Sequence, residues 1–290
     1  MPDKEINVSV IHLVWLPYGI DYFKNFIASY KAHPAGYAHK LIIAFNGVNE
    51  ENRDELKLYI DQLKQLGIDH FETVEYSKGQ DIVIYHDLSA KLDSEYLLFL
   101  NSYAEIKADN WLKSYVDLQA ADVGVIGATG SWASYVRSIN KDFYALIFSS
   151  KNSLKTKFNK LKYFLKLNLF YRHRFRKFPN PHIRTNAFFV NRKLFMDIAV
   201  GDITNKMGAY YFENGKNSFT RQILDRNFKC LIVDKNGKGF DLPHWPNSMT
   251  FCNGDQENLL VSDNQTNAYV RSNEEEKQFR RWKNWGIKSK

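Results

Sequence analysis

Cysteine is scarce in this chain: two residues in 290, Cys230 and Cys252, far apart and in no CxxC pair. That excludes a disulfide framework, gives no basis for a thiolate metal site, and makes a reducing cytoplasm the expected compartment. The first residues, MPDKEINVSVIHLVWL, lack the basic start and small-residue cleavage site of a secretory leader. No stretch approaches the roughly 18 apolar residues of a membrane-spanning helix, so any membrane contact is expected to be peripheral. There is no GxxxxGK[ST], which excludes a P-loop nucleoside triphosphatase, and Gly124, Gly127 and Gly130 do not make a GxGxxG opening a helix. Acidic residues are missing altogether from 143–196, where 13 Lys or Arg occur; the net charge of +8 is therefore +13 there and −5 elsewhere. The basic balance is local and points to one anionic partner surface.

What remains is an α/β pattern, 44% hydrophobic with negative mean hydropathy, and long enough to bury a substantial core. Residues 6–16 read as a strand, 21–31 as an amphipathic helix that Asp21 can cap, and 40–45 as a strand closing on Asn46-Gly47. Residues 50–66 read as a helix, 71–76 as a strand, 82–92 as a helix and 96–100 as a strand. Strands alternating with helices at this spacing imply a parallel sheet with right-handed crossovers. The run YLLFL at 96–100 does not alternate, as suits a strand buried on both faces, and it stops at the polar triplet Asn101-Ser102-Tyr103. Ligands of open α/β sheets bind beyond the carboxyl ends of such strands.

An apolar strand followed by a short polar triplet, an acidic residue and Trp111 resembles the centre of a GT-A-type glycosyltransferase, family 2-like. The resemblance implies a GT-A-like, mostly parallel central sheet flanked by helices, a nucleotide-sugar donor and transfer to a glycan or lipid-linked glycan acceptor. It also implies a divalent metal, Mn²⁺ or Mg²⁺, held by an Asp-x-Asp triplet. Here Asn101 and Tyr103 stand at those positions; they can hydrogen-bond ribose or phosphate but neutralise no charge. Glu105 is the nearest acid that could serve the metal instead, and weak or absent metal dependence is the expectation.

The same resemblance assigns the nucleoside to Leu16, Pro17, Asn46 and Asp81, although Asn46-Gly47 also reads as a tight turn and Asp81 as a helix cap. The AFFVNR segment after 186 resembles the family's strand leading into a helix. His182, Arg184 and Asn186 precede it at alternate positions on one face, which could meet acceptor or diphosphate. Glu213, before the helix expected at 218–226, matches the family's catalytic base for an inverting transfer. Its bland reading is a helix-start carboxylate favoured by the dipole.

The segment 154–171 places Leu154, Phe158, Leu161, Leu165 and Leu169 on one stripe with lysines largely off it, and YRHRFRK follows. Residues 154–177 are expected either to lie on an anionic membrane surface or to pack on their own domain with a solvated basic face. No RNA-binding motif accompanies them, so nucleic acid is not expected. The organisation read from the sequence is a transferase domain over 1–240, with the basic insertion at about 143–180, and an extension at 241–290 packed on it. Cytoplasmic surface-polysaccharide synthesis of bacterial type, at the inner membrane face, is the expected setting. The rival is a non-catalytic GT-A-like module binding glycan or membrane. A nucleotidyltransferase is remote, because Pro17-Tyr18-Gly19 is not a Gly-rich basic loop.

Overall fold

The computed structural model describes residues 6–137 and 168–287, with Lys162 and Leu165 between them. Most of the basic insertion, including Lys155, Lys160 and Lys166, lies outside the described residues.

An eight-stranded mixed sheet forms the centre. Its strands are β1 (Val8–Trp15), β2 (Lys40–Asn46), β3 (Glu72–Tyr76), β4 (Tyr96–Leu100), β6 (Val123–Gly127), β9 (Ala187–Asn191), β10 (Lys229–Val233) and β11 (Gly239–Phe240). They lie in the order β11-β10-β6-β9-β4-β1-β2-β3. β1, β2, β3 and β4 are mutually parallel, as are β6 and β10. This is the mixed α/β class with a large, mostly parallel sheet that the sequence led us to expect of a GT-A-like fold. Two-stranded additions pair β5 (Glu105–Ile106) with β12 (Val261–Ser262), and β7 (Gly130–Ser131) with β8 (His182–Ile183).

One departure from a wholly parallel sheet matters for the site. β9 runs antiparallel between β4 and β6, with Leu100 opposite Ala187. Its amino end therefore lies at the same sheet edge as the carboxyl ends of β1, β2 and β4. That edge receives whatever precedes β9 in sequence.

Helices cover both faces: α1 (Ile20–Ala32), α2 (Leu56–Gln65), α3 (Asp81–Lys91), α4 (Trp111–Asp117), α5 (Arg192–Met196), α6 (Lys206–Asn214) and α7 (Phe219–Leu224). Two clusters fill the two faces. Phe23, Phe26, Phe45, Leu98 and Trp111 belong to one; Tyr85, Phe99, Phe188, Phe195 and Phe219 belong to the other. Leu98 and Phe99 fall in opposite clusters because successive strand residues point to opposite faces, and both are fully buried.

Some local expectations change. Asp21 does not cap α1: Gly19 occupies the cap with a φ of 76° and Asp21 sits in the first turn. The helix expected over 50–66 starts later, as a 3-10 turn at Arg53–Glu55 running into α2. The largest change is at 206–214, read in sequence as a lead-in to the following helix. It is a helix itself, capped by Asn205, whose side chain accepts from the amides of Met207 and Gly208. Glu213 thus stands at a helix end and not a helix start.

The tail is woven into the rest. Trp245 is fully buried, the amide side chain of Asn284 accepts from the Ser131 hydroxyl, and β12 pairs with β5. The last two helices are α8 (Asn264–Val270) and α9 (Glu274–Trp285). Among the described residues, no helix is long and apolar enough to cross a membrane.

Candidate functional site

A cleft of about 400 Å³ opens at the carboxyl edge of the sheet, within the ~300–1,000 Å³ usual for small-molecule sites. One wall comes from Trp15 and Tyr18 after β1, Asn46 ending β2, and Gly79 to Ile82 entering α3. The other comes from Asn101, Ser102 and Tyr103 after β4, Thr185 before β9, and Lys206, Ala209, Tyr210 and Glu213 along α6. Five residues singled out in the sequence thus meet: Asn46, Asp81, Asn101, Tyr103 and Glu213.

Asn46 is 1% exposed, and its Nδ2 donates to the carbonyl of Gly79 at 2.9 Å. Its Oδ1 is buried and has no hydrogen-bond partner among the described residues. A buried acceptor left unpaired is costly, so in a cleft it marks a place where a ligand donor can bind. The turn reading of Asn46-Gly47 also holds: Gly47 has a φ of 86°, its amide donates to Tyr76, and a Cβ there would lie 3.0 Å from the Trp15 ring. Asp81 does not cap α3, whose cap is Gln80. Enclosure of its carboxyl by the cleft walls raises its pKa above the ordinary value, partly offset by its own backbone amide.

The triplet is committed to its own backbone. Asn101 Oδ1 accepts from the amide of Tyr103 at 3.1 Å, and Ser102 Oγ accepts from the amide of Trp15 at 3.0 Å. Tyr103 packs against Tyr18 and Tyr22, with ring centroids 4.8 and 4.7 Å apart. Desolvation, then the Tyr18 hydroxyl, raises its pKa, which keeps the phenol neutral. Glu105 does not line the cleft; it pairs with Lys107 and sits on β5. A hard divalent cation needs oxygen donors, usually with carboxylates. The triplet carries none, Asn101 Oδ1 and Ser102 Oγ already accept amide protons, and no group of three His, Cys, Asp or Glu suited to a metal occurs among the described residues. The residues present do not fit the metal that the family resemblance implies.

Leu16 and Pro17 are not at the cleft: Leu16 is 6% exposed in the core and Pro17 faces solvent, while Trp15 and Tyr18 on either side take the wall. His182, Arg184 and Asn186 do not present one face to the cleft; all three turn inward. The His182 Nδ1–H donates to the carbonyl of Asn180, and burial holds its pKa below the ordinary value despite the nearby Glu213. Asn186 Oδ1 accepts from the Thr129 hydroxyl. The Arg184 guanidinium lies 4.1 Å from the Phe251 ring centre and donates to Asp263, so it is not free to face a diphosphate. The residue between them, Thr185, faces the cleft instead.

Thr185 and Lys206 were missed in the sequence. Lys206 is an exposed cation lining the cleft, at the first turn of α6. The signal that would have found it is Asn205 as a cap ahead of the Tyr210 and Phe212 positions. Glu213 Oε2 accepts from both the amide and the hydroxyl of Thr185, at 2.9 and 2.8 Å. These bonds offset the unfavourable placement of a carboxylate at a helix carboxyl end.

No protein-family model matches the sequence, and no curated protein is significantly similar to it. Solved structures with partial fold likeness include glycosyltransferases. The mannosyltransferase PcManGT from Pyrobaculum calidifontis, in complex with GDP-Man and Mn²⁺, is 16% identical over 50% of this chain and 39% of its own, with a TM-score of 0.33. The galactosyltransferase LgtC, in complex with donor and acceptor sugar analogues, is 12% identical over 78% of this chain and 73% of its own, with a TM-score of 0.42. The bifunctional glycosyltransferase WbbM is 12% identical over all of this chain and 47% of its own, with a TM-score of 0.42. The chain spans less than half the length of the first and third of these. Likeness at this level carries no argument about the activity or the site.

Proposed function

We propose that this chain is a nucleotide-sugar-dependent glycosyltransferase of GT-A type, inverting, with Glu213 as general base. The observation that carries the reading is the cleft itself: Asn46, Asp81, Asn101, Tyr103 and Glu213, drawn from four separate parts of the chain, line one space at the sheet edge where α/β folds bind ligands. Asn46 Oδ1 and the Asp81 carboxyl are the groups offered to the nucleoside; Asn101 and Tyr103 border the diphosphate. An acceptor hydroxyl attacks the anomeric carbon, its proton passes to Glu213, a new C–O bond forms, and the bond to the nucleoside diphosphate breaks with the electron pair leaving on phosphate oxygen. Negative charge develops on that leaving group, and Lys206 is the cation the cleft presents to it.

The acceptor is a glycan or lipid-linked glycan of surface-polysaccharide synthesis at the cytoplasmic membrane face. What supports a membrane setting is the acid-free basic segment, whose 154–177 portion attracts anionic lipid. Thermal shift against a panel of nucleotide sugars tests the donor class, because a ligand of the native state raises stability by mass action. A panel without any shift defeats the reading. Co-sedimentation with anionic liposomes should fall when Lys155, Lys160, Lys162 and Lys166 become Gln.

A non-catalytic GT-A-like module that binds glycan or membrane is the second reading. It is favoured by the lack of carboxylates in the triplet Asn101-Ser102-Tyr103. Glycan or anionic-liposome binding without sugar-nucleotide hydrolysis or transfer would select it.

A further inference from the structure

Glu213 projects from the last turn of α6, and a glutamate has enough side-chain freedom to leave a reacting position unless something holds it. Thr185 comes from a different part of the fold, the turn between β8 and β9, and contributes two donors to a single carboxylate oxygen, Oε2. Among the described residues, Oε1 accepts no hydrogen bond. The turn that bears Thr185 is fixed on both sides. The Arg184 amide donates to the carbonyl of Thr129, its guanidinium is held by Asp263, and the Asn186 carbonyl accepts the amide of Asn101.

We infer that Thr185 is a positioning residue for Glu213: it binds Oε2 twice, fixes the carboxylate in place, and leaves Oε1 as the oxygen that takes the acceptor's proton. This role rests on Glu213 acting as the base. Hydrogen bonds to a carboxylate are stronger than those between neutral groups. The backbone donor is present whatever residue stands at 185, whereas the hydroxyl donor is specific to Thr or Ser. Other groups face Glu213 as well: His182 from β8, Arg184 from the same turn, Tyr135 across the cleft wall, and Tyr210 and Lys206 on its own helix. Burial holds the pKa of His182 below its ordinary value, and Arg184 keeps its charge.

The experiment compares Thr185→Val, which keeps the shape and removes the hydroxyl, with Thr185→Ser, which restores it. In the active enzyme, kcat should fall by about 10- to 100-fold in the Val variant and return in the Ser variant, with the donor KM little changed. A kcat that is unchanged in the Val variant, or falls equally in both, overturns the inference while leaving the transferase reading intact. If the wild type shows no turnover with any donor, the transferase reading fails separately. The carbon-13 resonance of the Glu213 carboxyl, assigned by its loss in Glu213→Gln, then reads the same relationship. A resonance displaced in Thr185→Val and restored in Thr185→Ser upholds it, and one unmoved in both overturns it. Melting temperatures of the two variants identify any general loss of folding.

Discussion

Arg184 and Asp263, 79 positions apart, form a buried ion pair in which Nη2 of the arginine donates to Oδ2 of the aspartate at 2.7 Å. The other oxygen of Asp263 accepts from the amides of Gln265 and Thr266 and so caps α8. One carboxylate thereby joins the tail to the turn that carries Thr185. Its replacement by Asn separates the two duties, because Asn is itself a good helix cap but carries no charge. We expect Asp263→Asn to cost about 3–5 kcal/mol in denaturant unfolding, the usual result of leaving one member of a buried pair uncompensated. A loss below ~1 kcal/mol would mean that the guanidinium finds solvent.

The core of this architecture could be read in the residues, and the tie just described could not. Apolar runs such as YLLFL declare buried strands, and the alternation of strand and helix from Val8 to Leu100 declares a parallel sheet. Direction is a different matter. Nothing in AFFVN states that β9 runs antiparallel, yet that reversal brings Thr185 to the cleft and turns Arg184 inward to Asp263. Alternate spacing predicts one shared face for His182, Arg184 and Asn186 in extended chain; the chain turns at 185–186, and tertiary pairing buries all three. Leu16 and Pro17 were near misses for the same reason, with Trp15 and Tyr18 one position away on either side forming the wall.

Removal of divalent metal should leave donor binding and turnover largely intact. The warrant is the donor set: Asn101 and Ser102 accept backbone amides, and Tyr103 is a neutral phenol packed on two others. If a chelator abolishes turnover and Mn²⁺ restores it, this reading of the triplet is wrong. Lys206→Gln should instead lower kcat by about 10²–10³, as loss of one preorganised stabiliser of transition-state charge does.

His12 gives a pH dependence unrelated to the cleft. It is fully buried in β1, neither ring nitrogen has a hydrogen-bond partner among the described residues, and it stacks on Phe26 at 3.6 Å between ring centres. Burial pushes its pKa down from 6.5 to about 3. Between those values the unfolded chain binds a proton that the native chain refuses, so stability rises with pH across this window and falls on acidification from about pH 6.5. The slope from one such group is about 1.4 kcal/mol per pH unit. His182 is shifted in the same direction and adds to it. Urea unfolding of His12→Leu at about pH 5 and about pH 7 should show the dependence reduced by one proton. An unchanged dependence would show that His12 is not held neutral.

Glu213→Gln decides whether the cleft performs inverting transfer. A positioned base contributes about 10²- to 10⁴-fold to the rate, because an acceptor hydroxyl is a poor nucleophile until its proton is taken. Gln keeps the length and shape of the side chain, and its amide oxygen can still accept from Thr185. Its other terminal atom becomes a donor and cannot take the acceptor's proton. Turnover should therefore fall by two to four orders of magnitude while nucleotide-sugar binding by thermal shift persists. Removing a negative charge from the carboxyl end of α6 relieves an unfavourable dipole interaction of about 0.3–1 kcal/mol, so instability cannot account for a drop of that size. Near-normal turnover in the Gln variant would remove Glu213 from the chemistry and leave Asp81 as the other carboxyl lining the cleft. Enclosure raises the pKa of that carboxyl above its ordinary value, so it takes up a proton more readily than an exposed aspartate does.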